Sequence, residues 1–221
     1  ANLMGILMIQ SQRLNDAVSY LEQAVAAGNR HADTLYNLGL CLTETAQFAK
    51  ALEIYQQCLG VNPTHIAAWF NLAITYEKLE RYDEAIAALL KDYEITQRLE
   101  ALIELSTVYL RKFDWDNTQK YAIEALQKEP TNETAMHNLS NSRMGRLAGM
   151  EIPDLTIVEQ SLRLGKSMIA ANAASAKGYQ TCGDALQAIG ELDLALDHYE
   201  KCLALDPNNA HVHANVGVIK L

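Results

Sequence analysis

The sequence predicts an all-α solenoid of antiparallel helix pairs. Three observations predict it: small residues recur every 34 positions, prolines keep nearly the same phase, and each period holds two stretches of helical apolar spacing. Gly5 and Gly39 are 34 apart, as are Gly183 and Gly217, and Ala17, Ala51 and Ala85 continue at that interval. Pro63, Pro130 and Pro207 are separated by 67 and 77 residues, against 68 for two periods, so one deletion and one nine-residue insertion account for the drift.

The clearest copy spans residues 32 to 63. Its first helix carries Leu35, Leu38, Gly39 and Leu42, and its second carries Ala51, Tyr55 and Cys58. Asn62-Pro63 breaks the second helix, and Thr64 is the expected cap of the next. Gly39 and Ala51 are small because the paired helices approach closely there; a larger side chain overpacks the contact at about 1 to 3 kcal/mol.

The same columns return as Trp69, Leu72, Ala73, Tyr76, Ala85 and Leu89, then as Leu102, Leu105, Ser106, Tyr109, Thr118, Ala122, Ala125 and Pro130. They return again as Tyr179, Cys182, Gly183, Leu186, Ala195, Tyr199, Cys202 and Pro207. This pattern resembles the tetratricopeptide repeat (TPR) family over essentially the whole chain. The resemblance implies a right-handed superhelical solenoid whose first helices line a concave groove.

The expected organisation is one array, read as a fragment of a longer protein. Its repeats are 1–31, 32–65, 66–98, 99–132, 133–175, 176–209 and a partial copy, 210–221. The insertion falls between the helices of the fifth copy. Gly145 to Asp154 carries two glycines and Pro153, so residues 145–153 read as an exposed loop leading into a helix near Asp154 to Ala171. Either the loop is a neutral insertion, or Leu147, Met150 and Ile152 contact a partner. Asp92 stands in a column of Ala or Cys, and Arg143 in one of Leu or Tyr, so packing should change locally at both.

Two positions before the Gly/Ala column, the chain reads Asn37, Asn71, Glu104, Asn138, Thr181 and Asn215. An asparagine amide both donates and accepts, so a row of them suits holding the backbone of an extended peptide. Beside them stand Tyr36, Phe70, Ile103 and His137 as apolar grip. The ladder is similar to that of the TPR arrays of O-linked N-acetylglucosamine transferases, and to groove asparagines of peroxisomal-import receptors. The alternative is that these amides bond to the neighbouring repeat. The expected peptide-binding residues are therefore Tyr36, Asn37, Phe70, Asn71, Glu104, His137, Asn138 and Asn215.

The chain of 221 residues has 18 Lys+Arg against 27 Asp+Glu, a net charge of -9, which argues against nucleic acid or an anionic membrane as partner. No apolar run reaches the ~18 residues that span a bilayer, so membrane insertion is not expected. Cys41, Cys58, Cys182 and Cys202 lack metal spacing and fall on apolar helix faces, which points to buried thiols in a reducing, cytoplasmic setting. The six histidines form no HExxH pattern, and no phosphate loop or nucleophile elbow occurs, so neither catalysis, metal nor cofactor is expected. Asp114-Trp115-Asp116 reads as solvated charge at an inter-helix turn.

The carboxylate clamp of chaperone-binding family members needs Lys and Asn, then Asn, then Lys and Arg on three successive first helices. Here Tyr36 and Leu40, or Phe70 and Ile74, hold the first places, and Glu100 and Glu104, or Thr134 and Asn138, the last. An acidic chaperone tail is not expected. The expected function is a protein-interaction scaffold holding a peptide or partner segment; the alternative is the substrate-recognition array of a larger enzyme such as an O-linked glycosyltransferase. End-to-end self-association is a further possibility of the exposed array ends.

Overall fold

The computed structural model describes residues 1–147, 150 and 152–221. Among these residues the secondary structure is thirteen α-helices with no strand. They are α1 (Asn2–Gln10), α2 (Leu14–Ala26), α3 (Ala32–Glu44), α4 (Phe48–Val61), α5 (Ile66–Lys78), α6 (Tyr82–Thr96), α7 (Leu99–Arg111), α8 (Trp115–Lys128), α9 (Glu133–Leu147), α10 (Leu155–Ala171), α11 (Ala176–Ala188), α12 (Leu192–Leu205) and α13 (Ala210–Ile219). Odd-numbered helices are the first of each pair. Contacts gather into two compact units, Ala1–Ala101 and Leu102–Leu221. No helix is long and apolar enough, among the described residues, to cross a membrane.

In the first unit each helix packs on its sequence neighbours, and α3 also touches α1 and α5. The small columns explain the close pairing. A Cβ built on Gly39 would stand 2.6 Å from the Tyr55 ring, and Tyr55 is fully buried. In the second unit Gly183 has the same relation to Tyr199, at 2.5 Å. Ala51 and Ala195 are likewise fully buried. Filling these contacts with a methyl group forces the ring aside in a core packed at crystal-like density.

The turn within a pair is built the same way in five of the pairs. Gln12, Ala46, Glu80 and Phe113, each just after a first helix, have φ of 57, 58, 57 and 57°, and Gly190 takes that place at 78°. This left-handed residue lets backbone N–H groups bond back to the helix end: Ala46 N bonds Thr43 O at 3.0 Å and Gln47 N bonds Leu42 O at 2.8 Å.

Second helices end differently. Asn62 stops α4, its Oδ1 accepting from Thr64 N at 3.1 Å. The expected cap Thr64 is displaced by His65, whose Nδ1 accepts from Ala68 N at 3.2 Å. The Asn62 side chain engages Thr64, so the N-cap geometry falls one residue later.

The one-residue deletion after Asp92 has a local cause. Helix α6 runs regularly to Thr96 and stops at Gln97, with φ 52°. Arg98 then turns back, its Nε and Nη2 donating to the two carboxylate oxygens of Asp92 at 2.8 and 2.9 Å. Asp92 is fully buried, and the guanidinium also lies 4.4 Å from the Phe70 ring centre. An acid in an alanine column thus holds the end of a shortened turn.

The expected loop over 145–153 is corrected at its start. Helix α9 continues through Gly145 to Leu147, because Gly145 makes room for Trp115: a Cβ there would lie 2.7 Å from the indole. Leu147 is buried with Val158 and Ala185, so it is core and not a partner contact. Met150 and Ile152 are exposed. Residues 148, 149 and 151, on which the rest of that expectation falls, lie outside the described residues. Asp154 caps α10, accepting from Thr156 N at 2.8 Å.

Candidate functional site

The asparagine column divides according to what the preceding repeat places opposite it. Before Asn37 the residue after the small column is Ile6, which offers no polar atom. The Asn37 side chain, half-buried on α3, makes no hydrogen bond among the described residues. Before Asn71 it is Leu40. Asn71 Nδ2 therefore donates to its own helix at Ala67 O, 2.9 Å, and more weakly to Tyr36 Oη at 3.4 Å.

Before Asn138 stand Ser106 and Thr107, and Asn138 Nδ2 donates to both hydroxyls at 2.9 and 3.0 Å. Only 3% of Asn138 is exposed, so the structure places this predicted contact inside the second unit as a strut between α9 and α7. Before Asn215 stands Asp184, and Asn215 Nδ2 donates to Asp184 Oδ1 and to Tyr199 Oη, both at 3.0 Å. A polar residue after the small column of one repeat is thus the sequence signal that the next asparagine is held by the array.

The neighbouring predicted residues are also engaged. Tyr36 lies 4.9 Å from the His65 ring, and Phe70 is covered by Arg98. Glu104 is half-buried on α7. His137 accepts from Asn141 Nδ2 at Nε2, 3.0 Å, which leaves its Nδ1 proton for Thr181 Oγ1, also 3.0 Å. Burial favours the uncharged ring and holds the His137 pKa down at about 4. His137 and Thr181 therefore join α9 to α11 as a neutral pair.

The second unit contains a cleft of about 760 Å³ between its first helices. Leu110 comes from α7; Asn141, Met144 and Gly145 from α9; Gln180, Asp184, Gln187 and Ala188 from α11; His211 and Asn215 from α13. Phe113, from the turn after α7, and Trp115, the first residue of α8, complete an apolar wall, their rings edge-on at 5.5 Å. Of the predicted site residues Asn215 lines this cleft, and His137 and Asn138 do not.

Asp184 organises the polar wall. Its Oδ1 accepts from Tyr199 Oη at 2.7 Å and Asn215 Nδ2 at 3.0 Å, and faces His211 Nε2 at 3.0 Å. The hydrogen bond to Asp184 raises the His211 pKa above its usual value. Burial pushes the Tyr199 phenol up, so it remains a donor. Asp114, read as solvated charge, instead caps α8 by accepting from Asn117 N at 3.1 Å. Asp116 pairs with Arg146 at 2.5 Å, tying α8 to α9.

All four cysteines are free and buried, and burial raises each thiol to about 11. They are packing residues and not nucleophiles.

Residues 176–209 match the family model for the tetratricopeptide repeat, and residues 10–92 match that of anaphase-promoting complex, cyclosome, subunit 3. A tetratricopeptide repeat-containing protein of Caenorhabditis elegans, trd-1, is 25% identical over 73 residues, 33% of this chain and 10% of that protein. The peroxisomal targeting signal receptor of Yarrowia lipolytica is 29% identical over 91 residues, 41% of this chain and 15% of the receptor. That of Kluyveromyces lactis is 22% identical over 223 residues, 96% of this chain and 37% of the receptor. The chain spans well under two thirds of the length of these relatives.

Among solved structures, the C-terminal part of a TPR repeat-containing protein from Cytophaga hutchinsonii superposes with a TM-score of 0.76 at 14% identity, covering 99% of this chain and 84% of that one. YrrB, described as a TPR protein with an unusual peptide-binding site, superposes with a TM-score of 0.65 at 15% identity, covering 91% and 98%.

Proposed function

For a chain whose fold is the all-α helical repeat array of tetratricopeptide-repeat proteins, a fold of protein-interaction scaffolds, we propose a non-catalytic role: holding an extended partner segment against its first helices. The observation that carries this reading is the 760 Å³ cleft of the second unit, where four first helices and one aromatic turn converge. An extended segment brings backbone N–H and C=O groups that need partners as they leave water, and the cleft offers amide side chains for them. Its apolar wall takes a side chain.

In the first unit the corresponding elements are Asn37, unbonded on α3, and Asn71, whose Oδ1 has no donor among the described residues. The likeness to peroxisomal targeting signal receptors, whose name denotes recognition of a signal, supports the same reading.

Site-specific photo-crosslinking tests it. Benzoylphenylalanine replaces Phe113 in one variant and Ala87, on a second helix, in another, each in the full chain. Capture of one partner segment from Phe113 and not from Ala87 is expected. Capture from Ala87 alone would overturn the reading.

A further inference from the structure

We propose that the cleft of the second unit is a pocket for an arginine side chain of the bound segment, which names the ligand chemistry of the site proposed above and rests on that reading. The inference comes from which hydrogen-bonding atoms are already engaged. A carboxylate only accepts. Three groups converge on one oxygen of Asp184: the Tyr199 hydroxyl at 2.7 Å, whose one proton is shared with Gln187 Oε1 at 2.6 Å, Asn215 Nδ2 at 3.0 Å and, from the ring nitrogen facing it, His211 Nε2 at 3.0 Å. The other oxygen, Oδ2, has no donor among the described residues, and the side chain is 13% exposed.

Because Asp184 cannot donate, Asn215 must turn its Nδ2 toward it. That leaves the Asn215 Oδ1 without a protein donor among the described residues. The Asp184–Asn215 edge of the wall therefore keeps two acceptors, while Gln180 and Gln187, whose Oε1 atoms accept from Asn209 Nδ2 and Tyr199 Oη, keep amide donors for a bound backbone. A side chain seated at that edge has to bring donors, and the carboxylate there favours a positive charge.

The opposite wall decides between cations. A lysine ammonium is compact and strongly hydrated, whereas a guanidinium is flat, weakly hydrated and stacks on aromatic faces. Phe113 is 73% exposed, its ring edge-on to Trp115, and Met144 lies beside them. This wall matches the aliphatic stem and planar head of arginine. The net charge of -9 assists approach of a basic segment.

The test uses four pools of blocked nonapeptides, randomised except for a central arginine, citrulline, lysine or glutamate. Citrulline keeps the shape of arginine and removes its charge. Binding to the full chain is read from the Trp115 indole N–H resonance. The arginine pool should bind about tenfold or more tightly than the citrulline pool, the scale of one charge-assisted hydrogen bond. That preference should disappear in Asp184→Asn.

Because Asp184 also ties α13 to the array, Phe113→Ala is measured as a second variant at an exposed position. It should weaken the arginine pool severalfold with an unchanged circular dichroism spectrum. Equal binding of the arginine and citrulline pools would overturn the arginine assignment and leave the peptide cleft standing. Absence of any Trp115 shift with all four pools would overturn the cleft as a peptide site, and the assignment with it.

Discussion

Replacing Arg98 by methionine isolates a charge in the core. Asp92 is 0% exposed and its partner, Arg98, meets it through two bonds of 2.8 and 2.9 Å. Removing one member of a buried pair costs about 3 to 5 kcal/mol, because the remaining charge has neither water nor a counterion. Asp92→Ala should cost much less, about 1 kcal/mol. Arg98 is 28% exposed, can reach water and keeps its stacking on Phe70. Alanine also restores the residue type of that column. The double variant should return to within about 1 kcal/mol of the parent, a coupling of about 3 to 5 kcal/mol.

Acid adds a second readout. Burial raises the Asp92 pKa above its ordinary value despite Arg98. A carboxyl raised on folding binds more protons in the native state, so its contribution to stability falls as pH rises from the unfolded value through the folded one. The loss in Arg98→Met should therefore shrink on going from pH 7 to pH 4.5. The assay is urea unfolding followed by Trp69 fluorescence in a Trp115→Phe background, so that the first unit alone reports. Equal losses in the two single variants, with coupling below about 0.5 kcal/mol, would refute the reasoning.

Other outcomes follow from the same structure. Asn138→Ala should lower stability by about 1 to 3 kcal/mol by leaving Ser106 and Thr107 without their buried donor, while Asn37→Ala should leave the urea midpoint unchanged. Gly39→Ala should cost more than about 1 kcal/mol, since its methyl group meets the Tyr55 ring, and differential scanning calorimetry would show the shift. The four thiols, raised to about 11, should resist a chromogenic disulfide at pH 8 until denaturant is added. In a nuclear magnetic resonance titration His137 should remain neutral down to about pH 4 and His211 should charge above its ordinary pKa. By linkage, His211 stabilises the fold below its unfolded pKa, and that contribution disappears as pH rises through the folded value. His137 has the opposite sign: its buried neutral ring supports the fold above the unfolded pKa and is lost on acidification toward about 4.

Helix pairing was legible because it rests on local spacing and on small residues, which read the same in every copy. Misreadings arose where the deciding atom is distant in sequence. Gly145 looked like a loop residue; it is helical because the Trp115 ring occupies the space beside it. Asn138 looked like Asn37, since both hold one column. What separates them is one repeat upstream, hydroxyls at Ser106 and Thr107 against a hydrocarbon at Ile6. The aromatic wall was not legible for a related reason: Trp115 stands between Asp114 and Asp116 in a stretch that reads as solvated charge, and no period in the sequence marks Phe113 beside it as reaching a cleft.

The left-handed residue in the turn of five helix pairs gives the array an unusual degree of freedom. Its backbone geometry is held by hydrogen bonds of the preceding helix, and the position accepts glutamine, alanine, glutamate, phenylalanine and glycine at Gln12, Ala46, Glu80, Phe113 and Gly190. Chemical identity there is decoupled from the repeat core. In the second unit this neutral site carries the ring that walls the cleft, so the cleft's lining can be rewritten at one turn tip while every packed column stays as it is. A phenylalanine placed at Ala46 or Glu80 by the same logic sets an exposed ring on an ordinary connection, at a backbone cost those residues already bear.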